Sequence, residues 1–246
     1  MTPSQFLLAA LFISAGCAVN SAIGFGAGIF ATPLLVWIDI PLPGAIAIAM
    51  SATLVQSAWG CWLSRGNIPW SQAWLMHALR LALLGPGVLL LGLLVAGGPQ
   101  RVKHGLGVVL LVVLTSMLAL KVKPQPRVAV GWTLLAGTFS GLLNGMLGMG
   151  GPFAVLWAVA HDWPAGRVRS FLWSAFVLTI PPQLLLLWLR FGEPVAQGVL
   201  TGLILIPAAL IGAAFGHKAG LLLSADRLRR VTYGFVFIIA VRSILA

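Results

Sequence analysis

Residues 20–28, NSAIGFGAG, decide the fold, because a similar glycine-rich stretch, NGMLGMGG, returns at residues 144–151. At an offset of 124 positions, Asn20, Gly24 and Gly26 fall on Asn144, Gly148 and Gly150. Both stretches interrupt apolar sequence that otherwise reads as membrane helix. Unwound backbone within a bilayer must line a polar cavity or lie buried in protein. The repeated interruption therefore predicts the place where a transported solute binds.

Composition assigns the chain to the polytopic membrane proteins. Hydrophobic residues make up 60% of 246, mean hydropathy is +1.03 and only 8% of residues are charged, which exceeds what a soluble core needs. The net charge of +11 predicts cytoplasmic loops that face anionic lipid, and no nucleic-acid partner. The N-terminus has no Lys or Arg before its apolar run, so we expect no cleaved signal peptide.

Hydropathy divides the chain into about eight apolar blocks. They are residues 4–38, 42–63, 70–96, 104–120, 128–160, 168–189, 195–216 and 228–245. Most are long enough to cross a hydrocarbon core of about 30 Å once. The first and fifth blocks are too long for one crossing, and each contains one of the two glycine-rich stretches near its middle.

An internal repeat extends beyond the glycines. Pro41 and Ser51 match Pro164 and Ser174 at an offset of 123 positions. The basic loops also keep the same order in both halves. We therefore predict one integral membrane domain made of two repeats, residues 1–123 and 124–246.

Positive charges indicate the topology. If the first and fifth blocks each crossed the membrane once, the loops would carry 8 and 6 Lys or Arg on the two sides, with Arg80 counted as intramembrane. If each block reverses direction, one side carries 10 and the other 4. The richer side has Arg65, Lys121, Lys123, Arg127, Arg167, Arg169, Lys218, Arg227, Arg229 and Arg230.

That imbalance makes the richer side cytoplasmic, with both termini periplasmic and the two repeats inverted. The fold class predicted is thus all-α, with two inverted repeats of about four full transmembrane helices plus a broken or re-entrant glycine-rich segment. Two short spans and a re-entrant hairpin both satisfy the count. Eight plain helices with a weak charge bias are the alternative.

The glycine-rich breaks suit an anion. A helix that begins at such a break exposes unpaired N–H groups and the positive end of its dipole, which bind an anion without a charged side chain. The predicted backbone contacts are Gly24, Gly26, Gly28, Gly148, Gly150 and Gly151. Asn20 and Asn144 add amide groups just upstream. The alternative is that the glycines only allow helices to pack closely.

Further polar residues in the apolar blocks are candidates for the same site. Ser51 and Ser174 are equivalent in the repeat, and Gln56 and Thr179 follow them at about one and a half turns. Arg80 lies well inside the third block, where a charge is costly and usually functional; it has no counterpart in the repeat, since Thr201 lies near the equivalent place. Snorkelling of Arg80 to the interface is the alternative.

Catalytic and metal-binding motifs are missing from the sequence. No HExxH, GxSxG or Walker motif occurs, and no Asp or Glu lies in the middle of an apolar block. Cys17 and Cys61 lack the spacing of a zinc site. We therefore predict neither an enzyme nor a cofactor, and no carboxylate relay for protons or sodium.

At these residues the chain resembles the sulfite exporter TauE/SafE family, also called the TSUP permeases. The resemblance lies in GFGAGIFATPLL at residues 24–35 and GLLNGMLGMGGPFAVL at 141–156, and it extends over the whole length. The halves depart from each other where Ala27 aligns with Gly151 and Pro33 with Trp157. The resemblance implies a permease of the bacterial inner membrane for small anions such as sulfite, organosulfonates or related sulfur oxyanions.

These observations predict a secondary carrier or facilitator that binds a small anion between two inverted repeats. Two alternatives remain open at this point: a carrier of a neutral or zwitterionic solute, and a non-transporting assembly subunit of the membrane. The sequence leaves the anion, the direction of transport, the coupling ion and the oligomeric state undetermined.

Overall fold

A computed structural model describes residues 1–120, 122–222 and 225–245, without the side chains of residues 221, 225–229 and 231. Lys121, Arg227 and Arg229 of the charge count therefore lie outside the described residues or side chains. Within the described part the chain forms helices and no strand. The predicted all-α class of polytopic membrane protein is confirmed.

The two halves contain the same order of helices. The first half has α1 (Pro3–Ile23), α2 (Ala27–Trp37), α3 (Leu42–Leu63), α4 (Trp70–Ala82), α5 (Leu84–Ala96) and α6 (Gly98–Ala119). The second half has α7 (Val130–Leu147), α8 (Gly151–Val159), α9 (Ala165–Phe191), α10 (Glu193–Ile204), α11 (Ile206–Leu222) and α12 (Ala225–Leu245). In each half a long helix and a short one precede a long helix, a helix pair and a last long helix.

Five stretches among the described residues are long and apolar enough to cross a membrane. They are Pro3–Ile23, Leu42–Leu63, Trp70–Ala96, Gly98–Ala119 and Ala165–Phe191. The pair α10 and α11 passes the same test together but is bent by 57°. The pair α4 and α5 at the corresponding place in the first half counts as one continuous span.

The first and fifth apolar blocks are hairpins. In the first, the Gln5 side chain near the start of α1 donates a hydrogen bond to the Ile38 carbonyl just after α2, at 2.9 Å. In the second, the Gln125 amide ahead of α7 donates to the Ala160 carbonyl just after α8, also at 2.9 Å. Each short helix thus returns to the side from which its long helix started. Both arrangements that the sequence left open, two short spans and a re-entrant hairpin, contain this reversal, and the choice between them stays a prediction.

Glycines in the left-handed conformation end the long helix of each hairpin. Gly24 has φ of 90° and Gly148 has φ of 70°, and their amides donate to the carbonyls of Asn20 and Asn144, both at 2.8 Å. Side chains with a Cβ are strained at such φ values, so glycine is the natural helix stop. The two asparagines are placed one turn before each tip for this reason.

Contacts between the halves come in matching pairs. Helix α1 packs on α11 and α7 on α5; α3 packs on α10 and α9 on α4. Helices α6 and α12, which are counterparts, pack on each other, as do α3 and α9. Exchanging the halves leaves these contacts in place, which is expected for a two-fold related pair, whereas the contact of α4 with α7 has no comparable counterpart between α10 and α1. The matching pairs agree with a duplicated chain, and the inverted orientation of the halves stays a prediction.

Candidate functional site

The tips of the two hairpins touch each other inside the bundle. A Cβ added at Gly28 would lie 2.5 Å from the carbonyl oxygen of Gly148 in the other hairpin. One added at Gly151 would lie 3.2 Å from the Cβ of Phe25. The first turn of α2 therefore packs against the end of α7, and the first turn of α8 packs against the tip that follows α1. Glycine at position 28 is required by this approach.

A cavity lies where the tips meet. Its lining residues come from both halves: Asn20, Gly26, Ala27, Gly28, Ile29, Thr32, Ala49, Met50, Thr53, Asn144, Gly148, Met149, Gly151, Phe176 and Ile180. Its volume is about 30 Å³, which is room for about two water molecules. A solute of several heavy atoms needs side chains such as Met50 and Met149 to move, which their flexible thioethers allow.

Backbone N–H groups at two helix starts reach this cavity. In α2 the first internal hydrogen bond runs from the Phe30 amide to the Gly26 carbonyl, at 3.0 Å. The amides of Ala27, Gly28 and Ile29 precede that bond, so they have no partner within the helix. Gly151, the first residue of α8, lines the same cavity. The positive ends of two helix dipoles thus converge on one space, an arrangement that favours an anion.

Each asparagine at a tip pairs with a glutamine of the next long helix. Asn20 Nδ2 donates to Gln56 Oε1 of α3 at 3.3 Å. Asn144 Nδ2 donates to Gln183 Oε1 of α9 at 2.6 Å, and Gln183 Nε2 donates in return to the Asn144 carbonyl. The second pair is closed at both ends. In the first pair Asn20 Oδ1 is buried and accepts no hydrogen bond from any described residue.

Arg80 lies behind the second tip. Its side chain is 0% exposed, and its guanidinium donates to Ser140 Oγ at 2.6 Å, to the Gly150 carbonyl at 3.3 Å and to Thr179 Oγ1 at 3.4 Å. The same guanidinium lies 5.9 Å from the centre of the Phe176 ring. Because Phe176 lines the cavity and Arg80 does not, the cation sits next to the space and holds the backbone of the second tip.

The predicted site residues fall into three groups. Those in the cavity lining are Asn20, Gly26, Gly28, Asn144, Gly148 and Gly151. Those that contact the lining through hydrogen bonds or close packing are Gln56, Arg80 and Gly150. Those outside the lining are Gly24, Ser51 and Ser174.

The two serines have other surroundings. An added Cβ at Gly202 of α10 would lie 2.8 Å from the Ser51 Cβ, so Ser51 is at the contact between α3 and α10. Ser174 donates to the Phe171 carbonyl at 2.8 Å and lies 3.4 Å from His77 Nε2.

Several lining residues were missed by the sequence analysis. Thr32 lies one helical turn after Gly28 on the same face of α2, a spacing that could have pointed to it. Thr53 and Phe176 are equivalent at the offset of 123 that also relates the two serines. Gln183 gave no repeat signal, because it lies 39 residues after Asn144 whereas Gln56 lies 36 after Asn20.

Comparison with known protein families identifies a relationship over nearly the whole chain. The family model described as sulfite exporter TauE/SafE matches residues 7–243, nearly the whole chain. Neither a curated protein nor a solved structure matches the chain.

Proposed function

This chain belongs to the sulfite exporter TauE/SafE family, and we propose that it is a secondary carrier or facilitator of a small sulfur oxyanion such as sulfite or an organosulfonate. Membership makes it a multi-pass membrane transporter of sulfur anions in general. The proposal adds the binding site: the cavity between the hairpin tips, with the first-turn amides of α2 and α8 as anion ligands.

The observation that carries the proposal is the convergence of two helix starts on one cavity. Glycines in the lining let an anion approach the backbone, and at Gly28 and Gly151 the missing side chain lets the two tips come together around the cavity. No charged side chain lines the cavity, so the anion's charge is met by backbone dipoles. A site of this kind suits a substrate that must leave as readily as it enters.

The hairpins support the proposed topology. Each adds one reversal of the chain, so Gln5 and Asp39 lie on one side and Gln125 and His161 on the other. The count of 10 against 4 positive charges then makes the side of Gln125 cytoplasmic. Both termini are periplasmic in this topology, the repeats are inverted, and the membrane is the bacterial inner membrane.

Hydrogen bonds between residues far apart in sequence agree with the assigned periplasmic and cytoplasmic sides. Trp37 at the end of α2 donates to Ser243 Oγ near the C-terminus at 3.1 Å, and both residues are on the periplasmic side. Trp163 after α8 donates to Gln72 Oε1 near the start of α4 at 3.1 Å, and both are on the cytoplasmic side. Transport then proceeds by movement of the two halves around the tips.

A counterflow assay tests the function. Proteoliposomes loaded with unlabelled sulfite, thiosulfate, sulfoacetate or acetate are given the same anion in radiolabelled form. We expect protein-dependent accumulation with at least one sulfur oxyanion and not with acetate. Empty liposomes and liposomes with the Gly28→Ala variant are the controls. The absence of counterflow with every anion would contradict the carrier function and favour a non-transporting subunit.

A further inference from the structure

Two side-chain oxygens in the cavity lining lack partners. Asn20 is 1% and Thr32 is 0% exposed, and neither Asn20 Oδ1 nor Thr32 Oγ1 forms a hydrogen bond with any residue in the described part of the chain. A buried oxygen without a partner costs free energy, commonly about 1–3 kcal/mol. Both residues belong to the first half, and both line the same small cavity.

Two further oxygens of the lining have lone pairs that accept no hydrogen bond. Thr53 Oγ1 uses its proton on the Ala49 carbonyl, at 2.7 Å, so its lone pairs stay free to accept. The Gly148 carbonyl faces Gly28, and because Gly148 ends α7 in the left-handed conformation, no following helical turn supplies a donor to it. The lining thus contains four neutral oxygens with unused acceptor capacity.

An anion alone does not account for these oxygens. The Thr32 hydroxyl can donate its hydrogen to an anion, but the charge of an anion repels oxygens that can only accept, such as Asn20 Oδ1 and the Gly148 carbonyl. The C-terminal ends of α1 and α7 also meet at this place, and they carry the negative ends of their dipoles. Unwound carbonyls and helix C-termini are the groups that coordinate Na⁺ in transporters with broken helices.

We propose that the cavity also binds a sodium ion, with Asn20 Oδ1, Thr32 Oγ1, Thr53 Oγ1 and the Gly148 carbonyl as ligands. This inference rests on the proposed anion site, because the anion supplies the opposite charge. Cation and anion side by side form a neutral pair, which is far less costly to hold in a medium of low dielectric than either ion alone. Sodium is then the coupling ion, and it needs no carboxylate.

The test measures sodium binding and sodium-dependent transport separately. In detergent, thermal stability of the purified protein is followed in increasing NaCl, with choline chloride keeping ionic strength constant. In proteoliposomes, uptake of radiolabelled sulfite is compared in Na⁺, K⁺ and choline media. We expect NaCl to raise the melting temperature and Na⁺ to raise uptake by about tenfold or more over choline.

Two variants locate the sodium site. Thr32→Val removes the hydroxyl at nearly constant volume, and we expect the sodium concentration needed for half of the stabilisation to rise about tenfold. Ser57→Ala is the matched control, since Ser57 Oγ on α3 is also buried and without a partner but Ser57 is not in the lining. It should leave the sodium dependence unchanged.

Asn20→Asp separates the two ions. A carboxylate is a stronger sodium ligand than an amide, so the variant should keep or increase sodium stabilisation. If it instead abolishes sodium stabilisation, the Asn20 oxygen does not face a cation and the sodium site is wrong. Equal stability and uptake in NaCl and choline chloride would overturn sodium binding while leaving the carrier function intact. Sodium stabilisation without any anion uptake would contradict the carrier and keep the sodium site.

Discussion

In both hairpin tips a left-handed glycine ends the long helix, but side chains form more hydrogen bonds at the second tip than at the first. At the second tip, Arg80 and Ser140 both donate to the Gly150 carbonyl, and Asn144 is bonded to Gln183 in both directions. At the first tip, Asn20 makes one long hydrogen bond to Gln56, and the nearby cation is Arg169, an exposed side chain whose Cγ would lie 3.7 Å from a Cβ added at Gly24. Several buried hydrogen bonds fix the second tip, whereas the first tip has one long hydrogen bond between side chains.

We infer from this difference that the two hairpins have different roles in transport. A fixed tip serves as a scaffold, since its groups keep their positions when the substrate leaves. The unpaired oxygens of the first tip can change partners at little cost, because they have none to lose. We therefore expect the first hairpin, α1 with α2, to be the part that adapts to the substrate, and the second hairpin, α7 with α8, to be the part that stays in place.

The largest effect is expected where the tips touch. Gly28→Ala places a methyl group 2.5 Å from the Gly148 carbonyl, a backbone atom that cannot rotate away. We expect destabilisation of about 1–3 kcal/mol and loss of sulfite counterflow. Melting temperature and initial uptake rate measure the two effects.

Two other glycines calibrate this result. Gly151→Ala meets the Phe25 side chain at 3.2 Å, a contact that can relax by a few tenths of an ångström, so its effect should be smaller. Gly131→Ala has no neighbour within 4 Å and should behave as wild type. Wild-type transport by Gly28→Ala would show that the tips do not depend on their contact.

Arg80 gives the second test of the comparison. Arg80→Met fills similar space but removes the donors to Ser140, Gly150 and Thr179, and hydrogen bonds to charged groups contribute about 1.5–3 kcal/mol each. We expect counterflow to fall by about tenfold to a hundredfold, with partial recovery in Arg80→Lys. Uptake kinetics at several sulfite concentrations provide the measurement.

Thr201→Met is the control variant, because Thr201 lies near the position equivalent to Arg80 in the repeat. Thr201 occupies about the position in α10 that Arg80 occupies in α4, and its hydroxyl donates to the Gln197 carbonyl within the helix, with the Met1 sulfur 3.9 Å away. Thr201→Met should therefore leave counterflow near the wild-type rate. If Arg80→Met were equally silent, the second tip would not need its cation and the two tips would be equivalent in function.

Much of the fold could be read from the sequence because hydropathy and positive charge are local signals. Blocks 4–38 and 128–160 were too long for one crossing, and the charge count required a reversal in each; the structure has a hairpin in both. The bend between α10 and α11 was not predicted from hydropathy, although Pro207 follows the break near Leu205 and a proline interrupts a helix. Hydropathy records length and polarity but not the direction of a helix axis.

The candidate site was predictable where the backbone dictates it. Asn20 and Asn144 precede left-handed glycines, and both line the cavity. Ser51 was chosen by repeat position, but the face of α3 that it occupies contacts α10, which sequence alone does not reveal. Arg80 was expected to attract the anion directly, and its position behind Phe176 depends on how α4, α7 and α9 pack. Tertiary packing of this kind has no local signature.

The smallest and most discriminating effect concerns the two asparagines. Asn144→Leu leaves Gln183 Oε1 without its donor in a side chain that is 0% exposed, and an unsatisfied buried group costs about 1–3 kcal/mol, whereas Gln183 Nε2 keeps the backbone carbonyl of residue 144. Asn20→Leu removes one long hydrogen bond to Gln56, and the Gln56 side chain is partly exposed. We expect the melting temperature to fall clearly in the first variant and little in the second, with sulfite uptake reduced in both.

A double variant identifies the cause. Asn144→Leu combined with Gln183→Leu removes both partners together, which costs less than leaving one of them buried and unpaired. It should recover part of the lost stability, whereas Asn20→Leu with Gln56→Leu should recover none. Equal losses of melting temperature in Asn20→Leu and Asn144→Leu would mean that the first tip is as firmly fixed as the second, and that the moving part must be sought elsewhere in the bundle.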